Sequence, residues 1–294
     1  KKTSVMIATL LSQVLLPISL AIIMFGMGMT LTIQDFGRIV NYPKAVFIGL
    51  TNQLILLPII GFSLAIVFDL DPIMAVGLMT LAVAPGGPTS NLITQVCRGN
   101  IALSVTLTAI GSCLSILTIP FILSSVLEYF GTGTETVIQL PVLDTILQIM
   151  VITIIPISIG LFIRKRKAAF ADRMENPMRK ASTIIFILVF IAVIAANKDL
   201  LSEAFQRVGA VTLVLNLVTM GVGFLSARVF NLSFPDSISV TIESGIQNGT
   251  LAFVIVTTIL QNVEMGIPIG MYSIWMFITG GILMWQLGKK KAAN

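Results

Sequence analysis

Apolar stretches of about 20 residues follow one another along the whole chain, each long enough to cross a ~30 Å hydrocarbon layer as a helix. In lipid the backbone must satisfy its own polar groups, so only helices and closed barrels remain. Strand-like alternation is absent, which argues against a barrel. Charged residues make up 11% of the chain, under half the roughly 25% of a soluble domain, too few to face water. Mean hydropathy is +1.00. The sequence predicts an all-α membrane protein, with one transmembrane domain over residues 1–294 and no soluble domain.

Nine spans are predicted, near 5–32, 45–68, 72–97, 101–127, 142–163, 181–197, 208–230, 236–261 and 267–287, separated by turn signals such as Asn41-Tyr42-Pro43 and Asp69-Leu70-Asp71-Pro72. Lys1 and Lys2 before an apolar run resemble a signal peptide. That run continues to Leu31 without a clean cleavage site, so a retained first helix is expected. One side of the predicted topology receives only Lys1, Lys2, Lys198 and Arg207, and the remainder of the 18 cations lie on the other. The positive-inside rule then places the N-terminus outside and the C-terminus in the cytoplasm, in a plasma (inner) membrane. Arg164–Lys167 reads first as a topology determinant, with anionic lipid contact secondary. A net charge of +5 distributed in this way implies no nucleic-acid partner. There is no His, and Cys97 and Cys113 have no ligand spacing, so zinc, haem and His-based catalysis are not expected.

The topology predicts inverted four-helix repeats, spans 1–4 and 6–9, joined by span 5. The third span of each repeat is interrupted, by Pro85-Gly86-Gly87-Pro88-Thr89-Ser90-Asn91 and by Glu243-Ser244-Gly245-Ile246-Gln247-Asn248-Gly249-Thr250. In transporters built from inverted repeats, such breaks form the midplane binding site. Pro-Gly-Gly-Pro cannot continue a helix, and the carbonyls it frees must be buried in protein or line a wet cavity. A plain proline kink is the simpler reading, but the three polar residues that follow weigh against it. Thr89, Ser90 and Asn91 are N-cap types. A half-helix starting on them would aim its positive end at an anion such as a carboxylate.

Twelve of the 13 acids fall in loops, leaving Glu243 inside a span. A carboxylate there costs several kcal/mol unless paired, and no cation lies within the membrane to pair with it. It is therefore protonated or neutralised by a bound cation; a protonated Glu in a structural hydrogen bond is the plainer alternative. Ser244, Gln247, Asn248, Thr250 and freed carbonyls surround it with neutral oxygens, an environment for a hard monovalent cation rather than Ca²⁺ or Mg²⁺. Ser104, Thr108 and Ser112 share a face of span 4, with Ser115 nearby. Alone such a stripe is helix–helix glue, and beside Glu243 it becomes a ligand face. Asn52, Gln53, Asn216 and Thr219 are weaker polar candidates. Met24, Met27 and Met29 read as packing.

Ile23-Met24-Phe25-Gly26-Met27-Gly28-Met29, Pro85-Gly86-Gly87 with Ser90-Asn91, Arg98-Gly99-Asn100 with Leu103-Ser104, and Thr241-Ile242-Glu243 with Gly245-Ile246-Gln247-Asn248 together resemble the bile acid:sodium symporter family, in order and along nearly the whole chain. The chain looks like the nine-helix members. The resemblance implies a core (45–127 and 208–287) with two broken, crossing helices, and a panel (1–44 and 142–197). It implies two sodium ions. Ser90, Asn91, Ser104, Thr108 and Glu243 would hold the first. Gln53, Glu243, Gln247 and the carbonyls of Ser244 and Ile246 would hold the second. Asn248 would face the substrate cavity, and the expected substrate-facing set is Pro88, Thr89, Ser90, Asn248, Gly249, Asn216 and Phe277. Pro88 replaces a Thr, and Phe277 an Asn, found in some relatives, and the expected anion is bile acid-like or a smaller carboxylate of the pantoate or keto-acid type.

The expected function is sodium-coupled symport of an organic anion by alternating access, in a protein that works as a monomer. The alternative is proton coupling, with Glu243 as the carrier. An intramembrane enzyme lacks its His, Cys pair or acid dyad, and a passive channel would have to build its selectivity ring from one carboxylate.

Overall fold

The computed structural model describes residues 16–37, 40–131, 142–174 and 198–288, with positions 177, 180, 181 and 184. Its named elements are all helical: α1 (Leu16–Thr30), α2 (Ile33–Gly37), α3 (Pro43–Val67), α4 (Pro72–Ala82), α5 (Pro88–Val96), α6 (Ile101–Gly131), α7 (Val142–Arg166), α8 (Lys198–Val229), α9 (Phe234–Gly245), α10 (Gly249–Ile259) and α11 (Gly266–Gly288). Among the described residues α3, α6, α7, α8 and α11 are long and apolar enough to cross a membrane. Their outer faces carry apolar stripes, such as Ile155, Ile159 and Phe162 on α7 and Leu114, Leu117 and Phe121 on α6, all exposed. Water would not tolerate so much contiguous apolar surface, and lipid does. The chain is a multi-pass membrane protein. The predicted span at 181–197 lies outside the described residues, apart from positions 181 and 184.

The two interrupted spans divide as their composition predicts. Span 3 becomes α4 and α5, and span 8 becomes α9 and α10. At ~1.5 Å per residue an 11-residue half such as α4 reaches roughly 16 Å, about half a hydrocarbon layer. α3 contains one turn of wider π-helix at Asn52–Leu56, where the Leu57 N–H reaches back to the Asn52 carbonyl. Pro58 follows at once and has no N–H to give, so the ladder shifts there instead of breaking.

α3 and α8 terminate alike. α3 ends with Asp69 at φ 48 and α8 with Asn231 at φ 55. In each, the next residue, Leu70 or Leu232, donates its N–H to a carbonyl five residues back, Ala65 at 3.0 Å or Ala227 at 2.9 Å. The following residue caps the next helix: Asp71 accepts from Met74 N–H at 3.1 Å, and Ser233 from Asp236 N–H at 3.2 Å. Phe68-Asp69-Leu70-Asp71-Pro72 and Phe230-Asn231-Leu232-Ser233-Phe234-Pro235 therefore encode one helix stop and restart twice. α5 and α10 also end at left-handed residues, Arg98 and Gln261.

Each turn after a second half-helix docks on the first half-helix of the other broken helix. Asn100 donates its N–H to the Pro235 carbonyl at 3.1 Å and its Nδ2 to Asp236 Oδ1 at 2.8 Å, and Ser239 donates to the Asn100 carbonyl at 2.9 Å. At the opposite end, Met265 and Pro268 pack so closely on α4 that Gly77 has no room for a Cβ.

α1 packs mainly on α7. A Cβ at Gly28 would meet the Ile157 backbone, and one at Gly160 would meet the backbone of Phe25, Gly28 and Met29. Small residues let two membrane helices approach this closely. Gly160→Ala should destabilise the protein by about 1–3 kcal/mol, read as a lower melting temperature in detergent. Gly281→Ala, whose Cβ would enter open space, should not. Equal melting temperatures for the two variants would contradict the backbone contact.

Candidate functional site

The unwound segments of the two broken helices cross and pair. Gly86 and Gln247 form an antiparallel bridge, the Asn248 N–H donates to the Pro85 carbonyl at 2.8 Å, and the Gly87 N–H donates to the Ile246 carbonyl at 3.3 Å. Backbone groups freed by one break are thus satisfied by the other. The last carbonyls of α9 are occupied too. Ile242 accepts from Ile246 N–H at 2.8 Å, Ser244 and Glu243 accept from Gln247 Nε2 at 2.9 and 3.4 Å, and Gly245 accepts from Asn216 Nδ2 at 2.9 Å and Tyr272 OH at 3.0 Å. Two negative helix ends, of α4 and α9, and two positive ones, of α5 and α10, meet at this crossing.

Glu243 lies two residues before the end of α9 and is 1% exposed. Its Oε1 accepts from the Ser90 hydroxyl, from Ser104 at 2.5 Å and from Thr108 at 3.1 Å; Thr108 is also 3.0 Å from Oε2. Asn91 Oδ1 stands 2.8 Å from the Ser104 hydroxyl and 3.5 Å from that of Thr108. The Gly87 and Ser104 carbonyls also lie within reach, of Ser90 and Thr108 respectively. Three hydroxyl protons therefore face five acceptor oxygens: both of Glu243, Asn91 Oδ1 and two carbonyls. Such a surplus of hard oxygen acceptors suits an alkali cation.

A second group of polar atoms lies on the other side of the carboxylate. Gln53 is 2% exposed, and both its Oε1 and Nε2 lack a hydrogen-bond partner, as does Gln247 Oε1. A Cβ on Gly86 would touch Glu243 Oε2 and lie 3.3 Å from Gln53 Nε2, so these groups share one small volume. Buried polar atoms without partners are rare, because each forfeits its hydration. A Cβ on Gly111 would lie 2.9 Å from Gln53 Oε1, so the Gln53 amide presents its Nε2 toward Gly86 and would offer its oxygen to a cation beside Glu243 by turning over.

Beside the crossing is a cavity of about 270 Å³. The N-terminal turns of α5 and α10 form one wall, with Pro88, Thr89, Asn248 and Gly249, and α1 forms another. None of its described lining residues is charged. Asn248 Nδ2 is buried and has no partner.

Most of the sequence-derived site residues come together. Ser90, Asn91, Ser104 and Thr108 converge on Glu243, and Gln53 and Gln247 approach it. Pro88, Thr89, Asn248, Gly249 and Phe277 line the cavity; Ser90 and Asn216 do not. Ser90 turns inward to the carboxylate. Asn216 is held away by Gly245 and by Thr279, whose hydroxyl donates to Asn216 Oδ1 at 2.8 Å. The Ser244 hydroxyl is spent on the Val240 carbonyl at 2.8 Å, so that residue offers the site only its backbone carbonyl. The Ile246 carbonyl already carries the Gly87 N–H. Thr250 lines the cavity rather than the carboxylate.

Other expectations change. Thr89, Ser90 and Asn91 do not cap α5: Gly87 stands at the cap without a side-chain bond, and Pro88, with φ already fixed for a helix, begins the first turn. Ser112 belongs to the stripe but not to the cluster, and its hydroxyl is unpartnered. Asn52 donates to Ser226 Oγ at 2.8 Å, and Thr219 to carbonyls of its own helix. Asp35, assigned to a loop, is 4% exposed, where it accepts from Thr32 N–H at 2.6 Å at the start of α2. Met24 and Met29 are packing residues, whereas Met27 also reaches the cavity wall, with Thr30 and Gln95.

Apolar membrane helices, two of them broken and crossing at a buried carboxylate beside a small cavity, define a membrane transporter. Residues 17–204 match the model of the Sodium Bile acid symporter family, and the chain belongs to that family. It is 30% identical over 274 residues to the uncharacterized sodium-dependent transporter YocS of Bacillus subtilis, covering 93% of this chain and 83% of that one. It is 26% identical over 252 residues to the human ileal sodium/bile acid cotransporter, covering 85% and 71%. A chloroplastic protein of Arabidopsis thaliana named "Probable sodium/metabolite cotransporter BASS1" is 27% identical over 279 residues, covering 93% and 67%. The relatives are named as sodium-dependent transporters and cotransporters, not as enzymes, and this chain is a membrane transporter of the same sodium-dependent family.

Proposed function

We propose that the protein is a symporter that couples an organic anion to two sodium ions by alternating access. The observation that carries the proposal is the acceptor-rich cluster around Glu243, built on the same crossing that presents two helix N-termini to an uncharged cavity. Sodium 1 is held by Ser90, Asn91, Ser104, Thr108 and Glu243. Sodium 2 is held by Gln53, Glu243, Gln247 and the carbonyls of Ser244 and Ile246. Sodium supplies positive charge, and these residues fix its place. Bound there, it draws the crossing segments together and firms the α5 and α10 N-termini, to which the anion binds. Each ligand then raises the affinity for the other by the same factor.

The inverted repeat, joined by span 5, is supported by the paired helix stops and cross-docked turns. These turns, with the bridge at the crossing, tie 45–127 to 208–287 as the moving core. α1 and α7 belong to the panel, 1–44 and 142–197, and the cavity lies where α1 meets the core. The cavity of about 270 Å³ lies at the lower edge of ligand pockets, which favours a small carboxylate such as pantoate over a bile acid. The N-terminus is outside, the C-terminus is in the cytoplasm of a cell with this chain in its plasma membrane, and one chain is the working unit.

Uptake of tritiated pantoate and of a tritiated bile acid into proteoliposomes, with sodium exchanged for potassium at fixed pH, tests the proposal. Pantoate uptake should require sodium and exceed that of the bile acid. Uptake undiminished in potassium would support a proton-coupled carrier and overturn the sodium assignment.

A further inference from the structure

Gly245 is the last residue of α9, and Ile246 after it is extended, with φ −109 and ψ 96. The Gly245 peptide therefore decides where the helix stops. It also lies between Ser244 and Ile246, whose carbonyls belong to the proposed second sodium site. Its own carbonyl receives two buried donors from outside the site: Asn216 Nδ2 from α8 at 2.9 Å and Tyr272 OH from α11 at 3.0 Å. Both donors are 0% exposed. The Gly245 carbonyl only accepts and so requires the Asn216 NH₂ on its side, while Thr279 Oγ1 stands 2.8 Å from Asn216 Oδ1, its one proton also within reach of the Trp275 and Met276 carbonyls at 3.0 and 3.2 Å. On the other face Met220 fills the space that a Cβ on Gly245 would need.

We infer that Asn216 and Tyr272 are positioning residues for cation binding: by pinning the Gly245 carbonyl away from Glu243, they turn the neighbouring Ser244 and Ile246 carbonyls into place. The clamp also ties α8 and α11 to the end of the helix that bears the carboxylate. The inference rests on the proposed sodium site. A packing role alone would lower stability without moving the sodium dependence, and the two roles separate on that measurement.

The test uses the full chain in detergent, with sodium chloride titrated against potassium chloride at constant ionic strength and melting temperature as the readout. In wild type, sodium should raise the melting temperature with a definable midpoint. Tyr272→Phe keeps the ring and removes one donor, and Asn216→Val removes the other. Each should move the sodium midpoint upward by about tenfold, equivalent to ~1.4 kcal/mol. Thr279→Val keeps both donors and removes one support of the Asn216 amide, and should shift the midpoint less, in the same direction. Trp275→Phe, on α11 like Tyr272, removes a donor to the Gly209 carbonyl of α8 at 3.0 Å and should leave the midpoint in place. Midpoints within twofold of wild type for both Tyr272→Phe and Thr279→Val would overturn the inference while leaving the sodium site standing. No sodium-dependent shift in wild type would overturn the site itself, and the inference with it.

Discussion

Glu243→Gln should abolish the stabilisation of this protein by sodium. The substitution keeps the shape of the side chain and removes its charge. Glu243 supplies the full negative charge in an otherwise neutral cluster of hydroxyl, amide and carbonyl oxygens. Removing one member of a buried charge pair costs about 3 kcal/mol or more, equivalent to a sodium affinity lower by roughly a hundredfold. The same variant should melt in potassium no lower than wild type, because a neutral amide is easier to bury than a carboxylate. The pair of results separates ion binding from folding. If Glu243→Gln kept more than half of the wild-type shift at equal sodium, the carboxylate would not be the ligand.

The second large effect is expected from a residue that ligates nothing. Gly86→Val would place its Cβ against Glu243 Oε2 and the Gln53 amide, in the volume assigned to the second ion. Gly86 is also bridged to Gln247, so its backbone cannot retreat without opening the crossing. The sodium midpoint should rise by at least about tenfold, as expected when overpacking of 1–3 kcal/mol falls on the binding site. Gly281→Val, on the open face of α11, should leave it unchanged. A midpoint within twofold of wild type for Gly86→Val would mean that no ion lies between Gly86, Gln53 and Glu243.

The parts of this site that were legible in the sequence are those whose chemistry is local. Pro85 to Pro88 stop a helix wherever they occur, and a carboxylate without a cation in an apolar segment needs a partner whatever the fold. Ser104 and Thr108 share a helix face by their spacing alone. Asn216 stands in the substrate-facing set only as the resemblance implies it, and no local signal shows what stands opposite; the Gly245 carbonyl comes from 29 positions away. The start of α5 lies earlier than its hydroxyl residues suggest, because Pro88 fixes the backbone of the turn before them. The duplicated Phe-Asp-Leu-Asp-Pro and Phe-Asn-Leu-Ser-Phe-Pro stops do not align as sequence because the extra Phe234 puts them out of register. Hydrogen-bond pattern recovers the match, since Leu70 and Leu232 reach back by the same five residues.

The pairing of the two unwound segments also dictates an order of events at the ribosome. The Pro85 carbonyl is served by the N–H of Asn248, 163 positions later in the chain. At about 5–20 residues per second, that partner emerges roughly 10–30 s after Pro85 has been made. Throughout that interval the first broken helix holds backbone groups that lipid cannot satisfy, and it must wait where water or the insertion machinery can. The first broken helix thus completes its backbone hydrogen bonds only once the second has been made.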